Sequence, residues 1–136
     1  MDPQNGWLTF SYSMGLGPIS DTCVYRTHDG GRTWEEASYL EGAGGSTTWF
    51  SLNCAAFLDD DRAVLCTGLF LGAPVFYTSD GGITWDLAAL PEVSRDWQAA
   101  SLSFSGARGV LLSRSGEPSV LVSQDYGASW EVLELP

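Results

Sequence analysis

Thr27-His28-Asp29-Gly30-Gly31-Arg32-Thr33-Trp34 carries a skeleton that returns twice, as Thr78-Ser79-Asp80-Gly81-Gly82-Ile83-Thr84-Trp85 and Ser123-Gln124-Asp125-Tyr126-Gly127-Ala128-Ser129-Trp130. The shared order is hydroxyl, any, Asp, any, Gly, any, hydroxyl, Trp, with apolar or aromatic residues just before each copy. An Asp at a chain reversal accepts hydrogen bonds from nearby backbone N–H groups, and a hydroxyl two residues earlier does so more weakly. The glycine two positions after the Asp (Gly31, Gly82, Gly127) takes a positive φ without steric cost. The second hydroxyl (Thr33, Thr84, Ser129) restarts the extended chain, and the tryptophan (Trp34, Trp85, Trp130) brings a large apolar surface to the same place each time. Each octet therefore predicts a tight turn between two strands.

The three octets resemble the Asp-box, or BNR repeat, of the β-propellers that include bacterial sialidases, sortilin-type receptors, xyloglucan-hydrolysing enzymes and photosystem II assembly factors. The resemblance implies that Thr27, Asp29, Gly31, Thr33 and Trp34, with their counterparts in the other two copies, occupy the turn between the third and fourth strands of a blade. It implies a structural device at the blade's periphery, and so identifies the repeat without naming a function.

The box aspartates lie 51 and then 45 residues apart, a period expected of propellers or solenoids. The expected fold is all-β, a partial β-propeller of about three four-stranded antiparallel blades: residues 1–41, incomplete, then 42–91 and 92–136. In the third repeat, strands are expected at 99–104, 109–113, 119–123 and 130–135. The second repeat repeats the plan at 52–57, 63–67, 75–78 and 84–89. The first offers strands only at 7–12, 23–27 and 33–38, so its first strand is missing. Propellers close with roughly four to eight blades, and three leave exposed sheet faces and an unpaired edge. The favoured reading is a fragment of a longer propeller whose missing blades lie elsewhere; the alternative is a homo-oligomer, two chains of three blades making six.

At 136 residues the chain suffices for one domain with a core, and its 16 Gly and 17 aromatic residues suit short strands joined by tight turns. The formal net charge of −11 speaks against nucleic acid or an anionic membrane surface as partner. No apolar run approaches the roughly 20 residues of a membrane span, so no membrane insertion is expected. The first residues show neither a basic nor an apolar signal region, although the resemblance implies an extracytoplasmic or secreted setting. The three cysteines and single His28 form no metal-ligand spacing, and neither a metal nor a cofactor is expected. Asp59, Asp60 and Asp61 read as a solvated turn rather than a calcium cage, which needs six to eight oxygens.

Trp49 and Trp97 precede the first strands of the second and third repeats. By resemblance, ligands bind where such leading loops gather, so this pair, with Asp96 beside Trp97, is a candidate site for stacking on a glycan or holding a protein segment; packing between blades explains the tryptophans equally well. Cys54 and Cys66 fall opposite one another if their hairpin is centred on Asp60, near the positions of Ser101 and Ser113 in the third repeat. A disulfide and two buried thiols are both open at that position.

The resemblance also raises a sialidase-like glycoside hydrolase as an alternative. Such an enzyme would need three arginines clamping the substrate carboxylate, a Tyr/Glu nucleophile pair, an Asp acid/base and an Arg-Ile-Pro motif. The arginines are scattered over box, hairpin and loop positions, and Arg-Ile-Pro does not occur. A hydrolase using two facing carboxylates would leave Asp96 without a partner. No catalytic residue is assigned, and the expectation is a non-catalytic binding or assembly module.

Overall fold

The computed structural model describes residues 2–13, 20–40, 51–68, 74–92, 97–115, 120–134 and 136. Among them are eleven strands and no helix. Strands β1 (Gly6–Ser13), β2 (Ser20–Thr27) and β3 (Glu35–Leu40) form a three-stranded sheet. Strands β4 (Ser51–Phe57), β5 (Ala63–Gly68), β6 (Val75–Thr78) and β7 (Asp86–Leu87) form a second sheet, of four strands. The third comprises β8 (Gln98–Ser105), β9 (Arg108–Ser115), β10 (Val120–Ser123) and β11 (Glu131–Leu133). Every neighbouring pair is antiparallel and consecutive in the chain. These are blades of a partial β-propeller, and the first lacks a counterpart of β4 and β8 among the described residues.

Register makes the blades superimposable residue by residue. Gly6 pairs with Thr27, Ala63 with Thr78 and Gly109 with Ser123, each partner being the first hydroxyl of its box. Trp7, Val64 and Val110 are therefore equivalent, as are Leu8, Leu65 and Leu111. Because side chains alternate between the faces of a strand, the Val64 position looks toward the following blade and the Leu65 position toward the preceding one. In β5 both faces are covered: Ala63, Val64, Leu65 and Cys66 are fully buried and Thr67 nearly so, which is why this strand reads as an apolar run rather than an alternation.

The core is thus two seams between blades. At the first, Val24 meets Leu65 and Phe76, with Trp7, Leu52 and Trp85 packed around them. At the second, Val64, Cys66 and Val75 meet Trp97, Ala99, Leu111, Leu121 and Trp130. Each fully buried Val or Leu contributes about 1.5–3 kcal/mol relative to exposure.

Two details depart from the sequence reading. Strand β7 is two residues long rather than running from 84 to 89, because Ala89 leaves its own sheet. It bridges to Ser129, its N–H donating to the Ala128 carbonyl at 2.9 Å and its carbonyl accepting from Trp130 N–H at 2.9 Å. Cys54 and Cys66 are direct cross-strand partners, but Ser101 pairs with Leu112, and Ser113 pairs with Ala99 across register irregularities. The five residues 58–62 separate the last paired residues of the second-blade hairpin, whereas Ser105 and Arg108 still pair in the third. The third-blade hairpin is tighter, which displaces its equivalents by one.

Candidate functional site

The three boxes build one hydrogen-bonded knot. The first hydroxyl donates to the aspartate Oδ1, at 2.8 Å from Thr27, 2.8 Å from Thr78 and 2.9 Å from Ser123. It also accepts from the box glycine N–H, at 2.9 Å for Gly31, 3.1 Å for Gly82 and 2.9 Å for Gly127. Oδ1 accepts in turn from the N–H of Thr33, Thr84 and Ser129, and Oδ2 from their hydroxyls at 2.7, 2.5 and 2.6 Å. The tryptophan Nε1–H closes the turn on the glycine carbonyl, at 3.1, 3.2 and 2.9 Å.

Donors aimed at a carboxylate favour its ionised form. The hydroxyl and N–H of Thr33, the Thr27 hydroxyl and Arg32 N–H hold the surface carboxyl of Asp29 at about 2. At Asp80 and Asp125 slight burial pushes upward, but the hydroxyl and amide donors outweigh it and both lie below the usual range.

The knot also shapes a socket. In the second and third boxes the residue after the Asp and the glycine that follows both take positive φ: Gly81 and Gly82 at 78° and 82°, Tyr126 and Gly127 at 61° and 89°. A Cβ on Gly82 would lie 2.7 Å from the Trp7 ring, and one on Gly127 would lie 2.6 Å from Val64 Cγ2. The preceding blade is seated directly on these glycines, so glycine serves both conformation and close approach there.

Arginines reinforce the same seams. Arg26, 6% exposed, lies 3.9 Å from the Trp7 ring centroid and donates from Nη1 to the Gly81 carbonyl at 3.0 Å. Arg62 lies 4.0 Å from the Tyr126 ring centroid. The Trp7 indole donates to the Asp59 carbonyl at 3.0 Å, and Asn5 donates to Asp60 Oδ2 at 3.1 Å. Asp59 Oδ1 accepts the N–H groups of Asp61 and Arg62, while the Asp61 carbonyl accepts Gly81 N–H. The three consecutive aspartates thus organise a turn and its neighbour. His28 bonds Asn5 Oδ1 through Nδ1 at 2.7 Å and places Nε2 3.4 Å from Glu35. No group of three or more His, Cys, Asp or Glu is arranged around a cation among the described residues.

The seam arginines were not singled out from the sequence. The signal was available for Arg26: it alternates with Val24 and Thr22 on one face of β2, the face that packs on the second blade. Its charge argues for exposure, whereas the Trp7 face and the Gly81 carbonyl supply the partners that permit burial.

Of the candidate binding residues, Trp97 is 2% exposed in the second seam, and its Nε1 has no hydrogen-bond partner among the described residues. Of its two readings, stacking on a ligand and packing between blades, this placement is packing. Trp49 and Asp96 lie outside the described residues. Cys54 and Cys66 are free thiols. Their mutual hydrogen bond holds Cys54 low against the upward push of burial, and it raises Cys66, where burial acts in the same direction.

A BNR/Asp-box repeat model matches residues 25–36 and 76–87, the first two knots with their following strand starts. The third knot lies outside those matches and repeats their hydrogen bonds. The chain therefore carries BNR/Asp-box repeats in the turns of a partial β-propeller. Among solved structures it is similar to YCF48 bound to D1 peptide, with a TM-score of 0.52 and 28% identity, over 64% of this chain and 26% of that one. The chain thus spans about a quarter of that protein's length. No curated protein matches.

Proposed function

We propose that this chain is a non-catalytic, protein-binding propeller module that takes an extended peptide at the end of the blades opposite the Asp-box turns. The observation that carries the reading is the likeness to YCF48, a propeller captured with a bound peptide. The first residues of β4 and β8 lie at that end, since both strands run from it toward the hairpins at 58–62 and 106–107. Trp49 and Asp96 are the contact residues in this reading, while Trp97 is committed to the second seam. The arginine chemistry agrees: Arg26 is committed to the Trp7 ring and the Gly81 carbonyl, and Arg62 to the Tyr126 ring and an ion pair with Asp59 Oδ2 at 3.4 Å, so both are engaged within the fold rather than in a clamp for a substrate carboxylate.

Selection from a displayed peptide library against the folded chain, followed by calorimetry on the selected peptides, tests the proposal. Trp49→Ala and Asp96→Ala are expected to weaken binding at least about tenfold, equivalent to roughly 1.4 kcal/mol, while Ile83→Ser at the box end leaves it unchanged. Failure to select any peptide, or loss only on changes at the box end, overturns the reading. A fluorogenic sialoside is expected to show no turnover, and turnover would favour the hydrolase alternative.

A further inference from the structure

Strand β4 lies at an edge of the second sheet and has a hydrogen-bonded neighbour on one side only, β5. Strand β5 is paired on both sides and its residues 63–67 are buried, so it is the fixed member of that pair and β4 the one free to fray. Cys54 and Cys66 stand across this ladder as direct partners. Direct partners carry their side chains on the same face of the sheet, with Cα atoms about 4.5–5.5 Å apart, inside the ~4.4–6.8 Å over which disulfides form. Both thiols are free, and each is the other's hydrogen-bond partner.

The repeat itself does not require this pair. The position of Cys66 is held by Thr9 in the first blade and by Leu112 in the third, where the residue across the ladder is Ser101. Cys23 gives the contrast within the chain: its strand partners are Phe10 and Tyr39, so no thiol stands across from it.

We propose that Cys54 and Cys66 are a reversible oxidation site, at which a disulfide fastens β4 to β5 and reduction by a dithiol releases it. The oxidant is itself a disulfide, of a small thiol or of another protein. Cys54, the less buried of the two, loses its proton to water and attacks one sulfur of the incoming disulfide. One thiolate leaves and takes up a proton, and a mixed disulfide remains. Cys66 then gives up its proton and displaces the second thiol, so the S–S bond passes to the ladder and two S–H bonds pass to the reagent. A register irregularity between Leu52 and Cys54 interrupts the pairing just before this point. The turn at 58–62 closes one end of the regular ladder, and the disulfide closes the other. The inference rests on β4 and β5 and is independent of the peptide-binding reading.

The test equilibrates the 136-residue chain in mixtures of reduced and oxidised dithiothreitol, in native buffer and in urea, traps free thiols by alkylation and maps the cross-linked peptides. A Cys54–Cys66 link is expected in the unmodified chain and in Cys23→Ala, and no link within the chain in Cys54→Ser. Its equilibrium constant is expected to be at least about a hundredfold larger in native buffer than in urea, because a bond that stabilises the native state is stabilised by it in return. A ratio near one, a link to Cys23, or a predominance of links between chains overturns the proposal. Amide exchange at residues 54–57 is expected to slow at least about tenfold on oxidation while β10 is unchanged. Equal exchange in the two states overturns the fastening of β4.

Discussion

At Gly127 two demands meet on one residue, a φ of 89° and a preceding blade at van der Waals contact. Gly106 carries only the first, with φ 59° and open space where a Cβ would point. Gly106→Ala is therefore expected to cost about 1 kcal/mol, the left-handed backbone alone, and Gly127→Ala about 3 kcal/mol, because overpacking against Val64 is added. Urea midpoints at unchanged slope would measure both, and equal losses would show that the seam yields without cost. Cys54 and Cys66 make a second residue-scale case. The shared hydrogen bond lowers Cys54 and raises Cys66, and only Cys54 is less than fully buried, so iodoacetamide is expected to label Cys54 first in the folded chain. With oxidised glutathione present, thiol–disulfide exchange begins at Cys54, and Cys66 is positioned to resolve the mixed disulfide as its cross-strand partner. Loss of both thiols together on peptide mapping is the expected result, and stable glutathionylation of Cys54 alone would oppose it.

At the scale of the turn, the box works as an acid-sensitive clasp. The folded carboxyl of Asp29 lies at about 2, and those of Asp80 and Asp125 lie below the usual range. A folded value depressed below the unfolded one, about 3.9 for Asp, contributes stability that is fully present above the unfolded value. That stability is lost as the pH falls through the folded value. Asp80→Asn is expected to destabilise the chain at pH 7 by about 1–3 kcal/mol, since charge-assisted bonds from Thr84 and Thr78 are weakened. The gap from the unmodified chain should begin to narrow as the pH falls below the unfolded value of about 3.9 and be lost as it passes the lower folded value of Asp80. Thermal unfolding followed against pH checks this, and a gap that does not narrow on acidification would place the effect in packing instead. The turn was legible in the sequence because it is local, hydroxyl, Asp, Gly, hydroxyl and Trp lying within eight residues, but the bonds from the second hydroxyl to the aspartate and from the tryptophan to the glycine carbonyl were not read there. Strand order was legible for the same reason, each strand pairing with the next one along. The hairpin register of the third blade was not, because one residue of turn length shifts it and composition does not report that difference. Nor were the seam partners of Arg26 and Trp97, which come from other blades and leave no fixed spacing to read.

Across the whole array, the blades stand in a row in which each meets only its neighbours, so stability is the sum of blade terms and seam terms. The second blade has two seams, and the first and third have one each within the described chain. Local opening of an end blade breaks one seam, whereas exposing β5 requires both to part. Native-state amide exchange at low concentration is therefore expected to be slowest in β5 and β6, whose residues 63–67 and 75–76 are buried, and faster in β1, β3 and β11. Protection equal in all three blades of a dilute single chain would contradict the row of independent seams, since it would mean that the end blades do not open without the middle one.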